Sequence, residues 1–324
     1  MPGDLHVYQT TVSGRDAHLD VPLTNIAIKA FQGADDFIAT KLFPPVPVSN
    51  RSNKYYILDP NTWLQVPVTL REAKSAPRRI EWKVSSDAYY CLNYALAGEN
   101  ALEDLANADA ALRLRENTTQ LVTEALLRDQ EVRVANIVTS ISNLGSGVVL
   151  TTGWGNYTAS DPIGDVRTGH AFIRQRTGLL ANTLVVDIDT YLVLQRHPLI
   201  LDMFKYTRGG LLTDAELKSV FTVDNLLIGV GVKNNALEGA TASITNIWGN
   251  NAILARIQPG QSLQTATFGL AFQWTPEGLP GPMAVERYAG ADPGTKVEVI
   301  AAGYWQTEKV VAPNLAYAIT STLA

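Results

Sequence analysis

Residues 112–140 read LRLRENTTQLVTEALLRDQEVRVANIVTS and pass without a glycine or a proline. Apolar side chains recur at helical spacing at Leu114, Leu121, Val122, Ala125, Leu126, Val132 and Ala135. The opposite face falls to Arg113, Glu116, Gln120, Glu124, Arg128 and Glu131. Upstream, Asn107-Ala108-Asp109 supplies a start with an acidic first turn. Downstream, Gly145 and Gly147 supply an end. The spacing predicts a helix over about 108–141. A helix of about 30 residues is ~45 Å long, more than an ordinary globular domain needs, and it reads as a strut.

On the N-terminal side of this strut the sequence turns to β. Lys54–Leu58 is one strand candidate, and Lys83 through Leu96 is a return strand rich in β-formers. The stretch between them is polar and carries Arg71, Glu72, Lys74, Arg78, Arg79, Glu81 and Lys83. A two-stranded ribbon is marginal alone in water, so a long one calls for a partner surface. These seven charged residues are the candidate contact strip. Residues 1–47, ending in Pro44-Pro45-Val46-Pro47, read as an extended arm with short helices near Ile26–Gln32 and Ala34–Leu42. An arm of that kind needs a body to lie on, its own or a neighbour's.

On the C-terminal side, 148–160 is rich in turns, and the chain then alternates. Asp161-Pro162 opens a helix through Arg174, Thr183–Val186 is a short buried strand, and Thr190–Arg196 is a helix stopped before Pro198. Thr213 and Glu216 form a capping box for a helix over Thr213–Val220. Leu226–Val232 and Ala252–Ile257 are strand candidates, and the Pro- and Gly-rich 258–284 is expected to be mostly loop. Lys296–Glu308 alternates apolar and polar residues, and Leu315–Thr320 is a closing strand.

Composition narrows the function. The 324 residues include 46% hydrophobic and only 18% charged, enough for a large core and spare for contact between copies. The net charge of −5 argues against a sequence-independent DNA binder, which must replace counterions on phosphate. A container for DNA has the opposite need, because a wall that gripped DNA would oppose its sliding. The single cysteine, Cys91, excludes an intrachain disulfide and reads as a packed thiol in a strand. The opening Met1-Pro2-Gly3-Asp4 has no basic patch followed by an apolar run, and no stretch of 18 apolar residues occurs, so neither a signal peptide nor a membrane span is expected.

No catalytic motif outweighs its structural reading. His6, His18, His170 and His197 share no zinc-ligand spacing, and His197, before Pro198, suits a helix end. Asp187 and Asp189 form a DxD that is able to hold a metal but serves equally well as an N-cap, the reading we favour. Gly229-Val230-Gly231 lacks the third glycine of a dinucleotide loop, since Asn234 stands there. No cofactor and no metal is expected, and no enzyme activity.

The order arm, β-ribbon, strut helix, α/β body and returning β-strands resembles the major capsid proteins of tailed double-stranded DNA phages, the fold named after bacteriophage Hong Kong 97. Strings that resemble a subgroup of them are Leu96-Ala97 with Asn107-Ala108-Asp109, Arg196-His197-Pro198 with Lys205-Tyr206, Ile247-Trp248-Gly249, Phe272-Gln273-Trp274 and Lys309-Val310-Val311-Ala312-Pro313. The resemblance implies an α+β capsid fold. Its parts are an N-arm (1–47), an E-loop ribbon (48–97), a P-domain (98–162 and 291–313) with a spine helix, and an A-domain (163–290 and 314–324). It further implies assembly of copies as pentamers and hexamers into an icosahedral shell around double-stranded DNA in a virion, built in the host cytoplasm. A separate scaffolding protein and a portal are the implied partners, with a decoration protein left open. The rivals are an encapsulin-type compartment, which shares the fold, and an oligomeric α/β enzyme with metal chemistry at Asp187 and Asp189.

Overall fold

The computed structural model describes residues 18–33, 37–58, 64–66, 69–71, 76–77, 79, 84–107, 113–206, 212–237, 239–259, 266–279, 281–290 and 296–323. In chain order the elements begin with β1 (His18–Leu19), α1 (Val21–Gly33), α2 (Ala39–Leu42), β2 (Pro45–Val48), β3 (Ser52–Leu58), β4 (Val84–Tyr90), β5 (Leu92–Ala101) and α3 (Leu102–Asn107). The long helix α4 (Leu114–Thr139) and β6 (Ser146–Val149) follow. Next come α5 (Pro162–Thr177), β7 (Thr183–Asp187), α6 (Ile188–Leu194), α7 (Pro198–Phe204), α8 (Asp214–Phe221) and β8 (Asn225–Gly229). The chain closes with β9 (Val232–Asn234), β10 (Ile244–Asn246), β11 (Asn251–Ala255), β12 (Gly269–Trp274), β13 (Met283–Ala289), β14 (Val297–Val310) and β15 (Ala316–Thr320). No helix among the described residues is long and apolar enough to cross a membrane.

The chain divides into two compact units. The first takes Met1–Ala34, Leu92–Leu127 and Trp274–Gln306. Here β14 is flanked by antiparallel β5 and β13, and β1 pairs with β13. One face of this sheet, with Met283, Val285, Ile300, Ala302 and Tyr304, packs under Leu23 and Ala27 of α1 and Val122 and Leu126 of α4. Gly98 lets the helix come close, since a Cβ there would stand 2.6 Å from Thr118 Cγ2. Asp20 caps α1 by accepting the Leu23 N–H (3.1 Å).

The second unit takes Asp35–Cys91, Arg128–Gln273 and Thr307–Ala324. Its five-stranded sheet runs β6-β15-β11-β7-β8, with β7 parallel to β8 and β15 parallel to β6. The strands β7, β11 and β15 are almost wholly buried, as near-continuous apolar runs covered on both faces should be. Beside this sheet are the β9–β10 hairpin and the β3–β4 ribbon. The fold is therefore a mixed α+β architecture, with one long helix, a projecting two-stranded ribbon and a five-stranded mixed sheet.

Several sequence expectations meet the structure closely. Asp161 caps α5 by accepting the Gly164 N–H, and the Thr213–Glu216 capping box is formed. Asp187 caps α6 by accepting the Asp189 N–H (3.2 Å), and the Asn246 amide donates to both carboxylates (2.8 Å each), so the DxD is a capped helix start. Cys91 is fully buried, and its thiol donates to the Phe272 carbonyl (3.4 Å).

Others need correction. The long helix ends at Thr139, followed by a 3-10 turn over Ile141–Asn143, so Gly145 and Gly147 do not cap it. They are small because backbone crowds them: a Cβ would stand 2.8 Å from Pro313 O at Gly145 and 2.8 Å from Ala318 O at Gly147. Leu121, assigned to the apolar face, is exposed, whereas Glu131, assigned to the polar face, is fully buried. The helix is less amphipathic than its spacing suggests because Thr119 and Thr123 are also buried. Their hydroxyls donate to the carbonyls of Arg115 and Thr119, so the burial leaves no donor unmet. The return strand is two strands broken at Cys91, each with a different partner. The candidate strand 226–232 likewise breaks after Gly229. Strand β12 lies within the segment expected to be mostly loop, because Phe268 and Phe272 supply core contacts that Pro/Gly counting overlooks. The arm's first helix starts at Val21, and residues 34–36 of its second lie outside the described residues.

Candidate assembly surfaces

The ribbon is built from its root upward. Tyr89 stacks on Phe272 with ring centroids 4.6 Å apart, and Tyr55 leans on the same ring at 5.2 Å. The Tyr55 hydroxyl donates to Asp87 Oδ2 across the ribbon (3.0 Å). Burial, the hydrogen bond and the charge of Asp87 together push the Tyr55 phenol up to about 12. Asp87 is held below the usual carboxylate range, first by the Ala88 N–H and then by the Tyr55 hydroxyl. Arg51 covers the Tyr90 ring at 4.8 Å and donates to the Cys91 carbonyl (3.2 Å). The root is thus fixed by aromatic packing on β12.

Beyond the root, Arg71 and Arg79 are exposed, while Glu72, Lys74, Arg78, Glu81 and Lys83 lie outside the described residues. The structure adds what the charge pattern hid. Val66 is 94% exposed and Leu70 91%. Leu64 is exposed as well, although its Cδ2 stands 3.0 Å from where a Cβ on Gly178 would lie. Exposed side chains this apolar in one stretch mark an interaction surface. The signal was present in Leu64-Gln65-Val66 and Leu70, apolar residues with no helical or strand periodicity of their own, but it was masked by the surrounding charges. Two further apolar surfaces stand on the second unit. Leu199 and Met203 of α7 with Tyr206 just beyond it form one stripe, and Val230, Val232, Leu237 and Ile244 form another around the β9–β10 hairpin.

The arm's end is anchored on its own chain. Ile38, Ala39, Leu42 and Phe43 are buried in the core of the second unit. Glu131 receives the Ile38 and Ala39 N–H groups (3.1 and 2.8 Å) at the start of α2, and the Trp248 indole N–H donates to the same carboxylate (2.6 Å). Burial pushes the Glu131 carboxyl above the usual range, against the pull of these three donors. Gly229 is required here, because a Cβ would stand 2.2 Å from Trp248 Cδ1. Nearby, Arg133 joins Asp129 and the buried Glu308.

No group of three or more His, Cys, Asp or Glu side chains is placed to hold a metal ion among the described residues. Comparison with known proteins points to assembly instead. No family model matches. The chain is 26% identical to the major capsid protein of Pseudomonas phage JBD67, over 94% of this chain and 97% of that protein. It is 25% identical to the major capsid protein of Burkholderia phage BcepMu, over 74% and 76%. A phage-related protein from Bordetella bronchiseptica RB50 has the same fold, with a TM-score of 0.72 at 22% identity over 94% and 97% of the two chains. Solved phage capsids share the fold at lower identity. With one sequence relative matched over nearly the whole of both chains and solved phage capsids of the same fold, the chain is similar to phage major capsid proteins and carries the Hong Kong 97 capsid fold.

Proposed function

We propose that this chain is the structural subunit of a tailed-phage head, self-assembling as pentamers and hexamers into an icosahedral shell that encloses double-stranded DNA. The observation that carries the reading is the ribbon, rooted firmly on its own body, together with the exposed apolar side chains of Val66 and Leu70. Each subunit then makes many modest contacts that symmetry multiplies. The division into N-arm 1–47, E-loop 48–97, P-domain and A-domain belongs to this reading, as do a separate scaffolding protein and a portal. The role is structural, and no catalytic step is assigned to any residue.

Electron microscopy of the purified protein is expected to show closed shells of tens of nanometres, and a field of small particles only would overturn the reading. Within the ribbon, Arg78→Glu with Arg79→Glu is expected to impair assembly while the subunit stays folded by circular dichroism. Normal shells from that variant would remove the charged strip as a contact. Val66→Asp with Leu70→Asp is expected to impair assembly at least as strongly. If apolar contacts dominate, wild-type shells persist in 1 M salt, where the Debye length is about 3 Å. Shells that fall apart there would assign the ribbon contact to its charges.

A further inference from the structure

His197 is fully buried at the N-cap of α7, where its carbonyl accepts the N–H groups of Ile200 and Leu201 (3.0 Å each). Its ring Nε2 lies 3.0 Å from Ser160 Oγ, and the edge of the interaction is closed by Tyr157, whose ring stands at 82° to the imidazole with centroids 5.5 Å apart. Proton counting fixes the tautomer. Ser160 has one hydroxyl proton, and its shortest contact, 2.6 Å, is to the Asn156 carbonyl. Ser160 therefore donates to Asn156, and the imidazole must donate from Nε2 to Ser160. Nδ1 is then the unprotonated nitrogen, and it is buried with no hydrogen-bond partner among the described residues. The ring is complete as a neutral imidazole and has no acceptor for a second proton.

We propose that His197 is an acid-labile pin: neutral, it clamps the 153–160 loop to the start of α7, and on protonation it releases both, disturbing the exposed stripe of Leu199, Met203 and Tyr206. The cost of protonation comes from placing an N–H at Nδ1 in a buried site without an acceptor. It is increased by the positive end of α7. The charged groups around the pin do little to offset this. Asp161 at the head of α5 favours the imidazolium. Asp165 on α5 is turned to the Trp154 indole N–H (2.8 Å). On α7, Asp202 is paired with Lys205 (3.8 Å), and Arg196, preceding the pin, carries the same sign as the imidazolium. Burial thus holds the folded ring below the ordinary histidine range. A folded value below the unfolded one means that the pin's contribution is intact above the ordinary histidine pKa and is lost as pH falls through the folded value.

Hydrogen exchange resolved by segment tests the pin without reference to what the protein assembles into. After correction for intrinsic rates, protection of 154–160 and 198–204 is expected to fall about tenfold for each unit by which the folded pKa is displaced as pH drops from neutral to about 5. The core strand Thr183–Asp187 should hold its protection. His197→Gln keeps an amide donor for Ser160 and does not titrate, so its two segments should lose little protection over the same range. Equal loss in wild type and His197→Gln, or loss no greater than in the core strand, overturns the proposal. If His197→Gln does not fold, the wild-type comparison of segments still decides. His170, the other described buried-side histidine, donates to the Phe221 carbonyl at the end of α8, so its titration reports in a different segment. The effect on contacts made by the α7 stripe rests on the shell reading. Segment loosening with unchanged assembly at low pH would leave the pin standing and remove α7 from the contacts between copies.

Discussion

Replacing Glu131 with alanine is expected to lower the stability of the folded subunit by about 4 kcal/mol, since each buried donor left unmet costs about 1–3 kcal/mol. Three donors converge on that carboxylate, and two of them are backbone N–H groups at the start of α2 that have no other partner within so short a helix. Alanine leaves all three facing an apolar space. Glutamine is the more informative change. Its oxygen is able to serve Trp248 and Ile38 on one side, but its amide then confronts the Ala39 N–H as donor against donor, at a cost of about 2 kcal/mol. The pH dependence carries a sign. Because the folded carboxyl is pushed up, Glu131 contributes most below the ordinary glutamate value and progressively less as pH rises through its folded value. The gap between wild type and Glu131→Gln in urea unfolding should therefore widen from neutral pH towards pH 4.5. A gap that narrows on acidification would mean that the ionised form is the one the site prefers.

Gly229→Ala should be nearly as damaging, through packing rather than charge. The added methyl would meet Trp248 Cδ1 at 2.2 Å and Cγ at 2.6 Å. Trp248 is almost wholly buried and is tethered by its indole N–H to Glu131, so it has little room to retreat. Overpacking of this kind costs about 1–3 kcal/mol, and more where the neighbour is fixed. A double-mutant cycle separates the clash from other effects. Trp248→Leu alone should cost about 3 kcal/mol as a truncation of a large aromatic, and it removes the obstacle to the methyl. The double variant is then expected to be less damaged than the sum of the two. Strict additivity in equilibrium unfolding would show that the indole moves aside in Gly229→Ala.

These two predictions concern contacts that no single sequence exposes. Leu114–Thr139 was legible because propensity and the absence of breakers act locally, and the caps at Asp161, Asp187 and Thr213 were legible for the same reason. Glu131 was not, since its partners lie 93 and 117 residues away, and periodicity alone places a glutamate on the wet face. The strand Gly269–Trp274 was hidden because glycine was counted as a breaker. At Gly269 the residue is small for packing, a Cβ there standing 2.5 Å from Phe43 Cε1. For the ribbon the sequence raised the expectation of a partner surface, and its charges drew attention away from the exposed Val66 and Leu70. Where the sequence was read by resemblance, the order of parts was informative because arm, ribbon and strut are each poor solutions for a monomer.

The ribbon's root has a mechanical meaning. Three paired residues beyond Tyr55, Tyr56 to Leu58, reach about 10 Å from the point where Tyr55 and Tyr89 grip Phe272. A tilt of roughly 5° at that grip displaces the far end by about 1 Å, more than the roughly 0.5 Å spread of good hydrogen-bond lengths. The ring packing at the base thus sets the aiming tolerance of the tip. Softening it, as with Phe272→Leu, would blur where the tip lands without altering any residue at the landing place. Precision at the ribbon's far end would then be governed by three rings at its base.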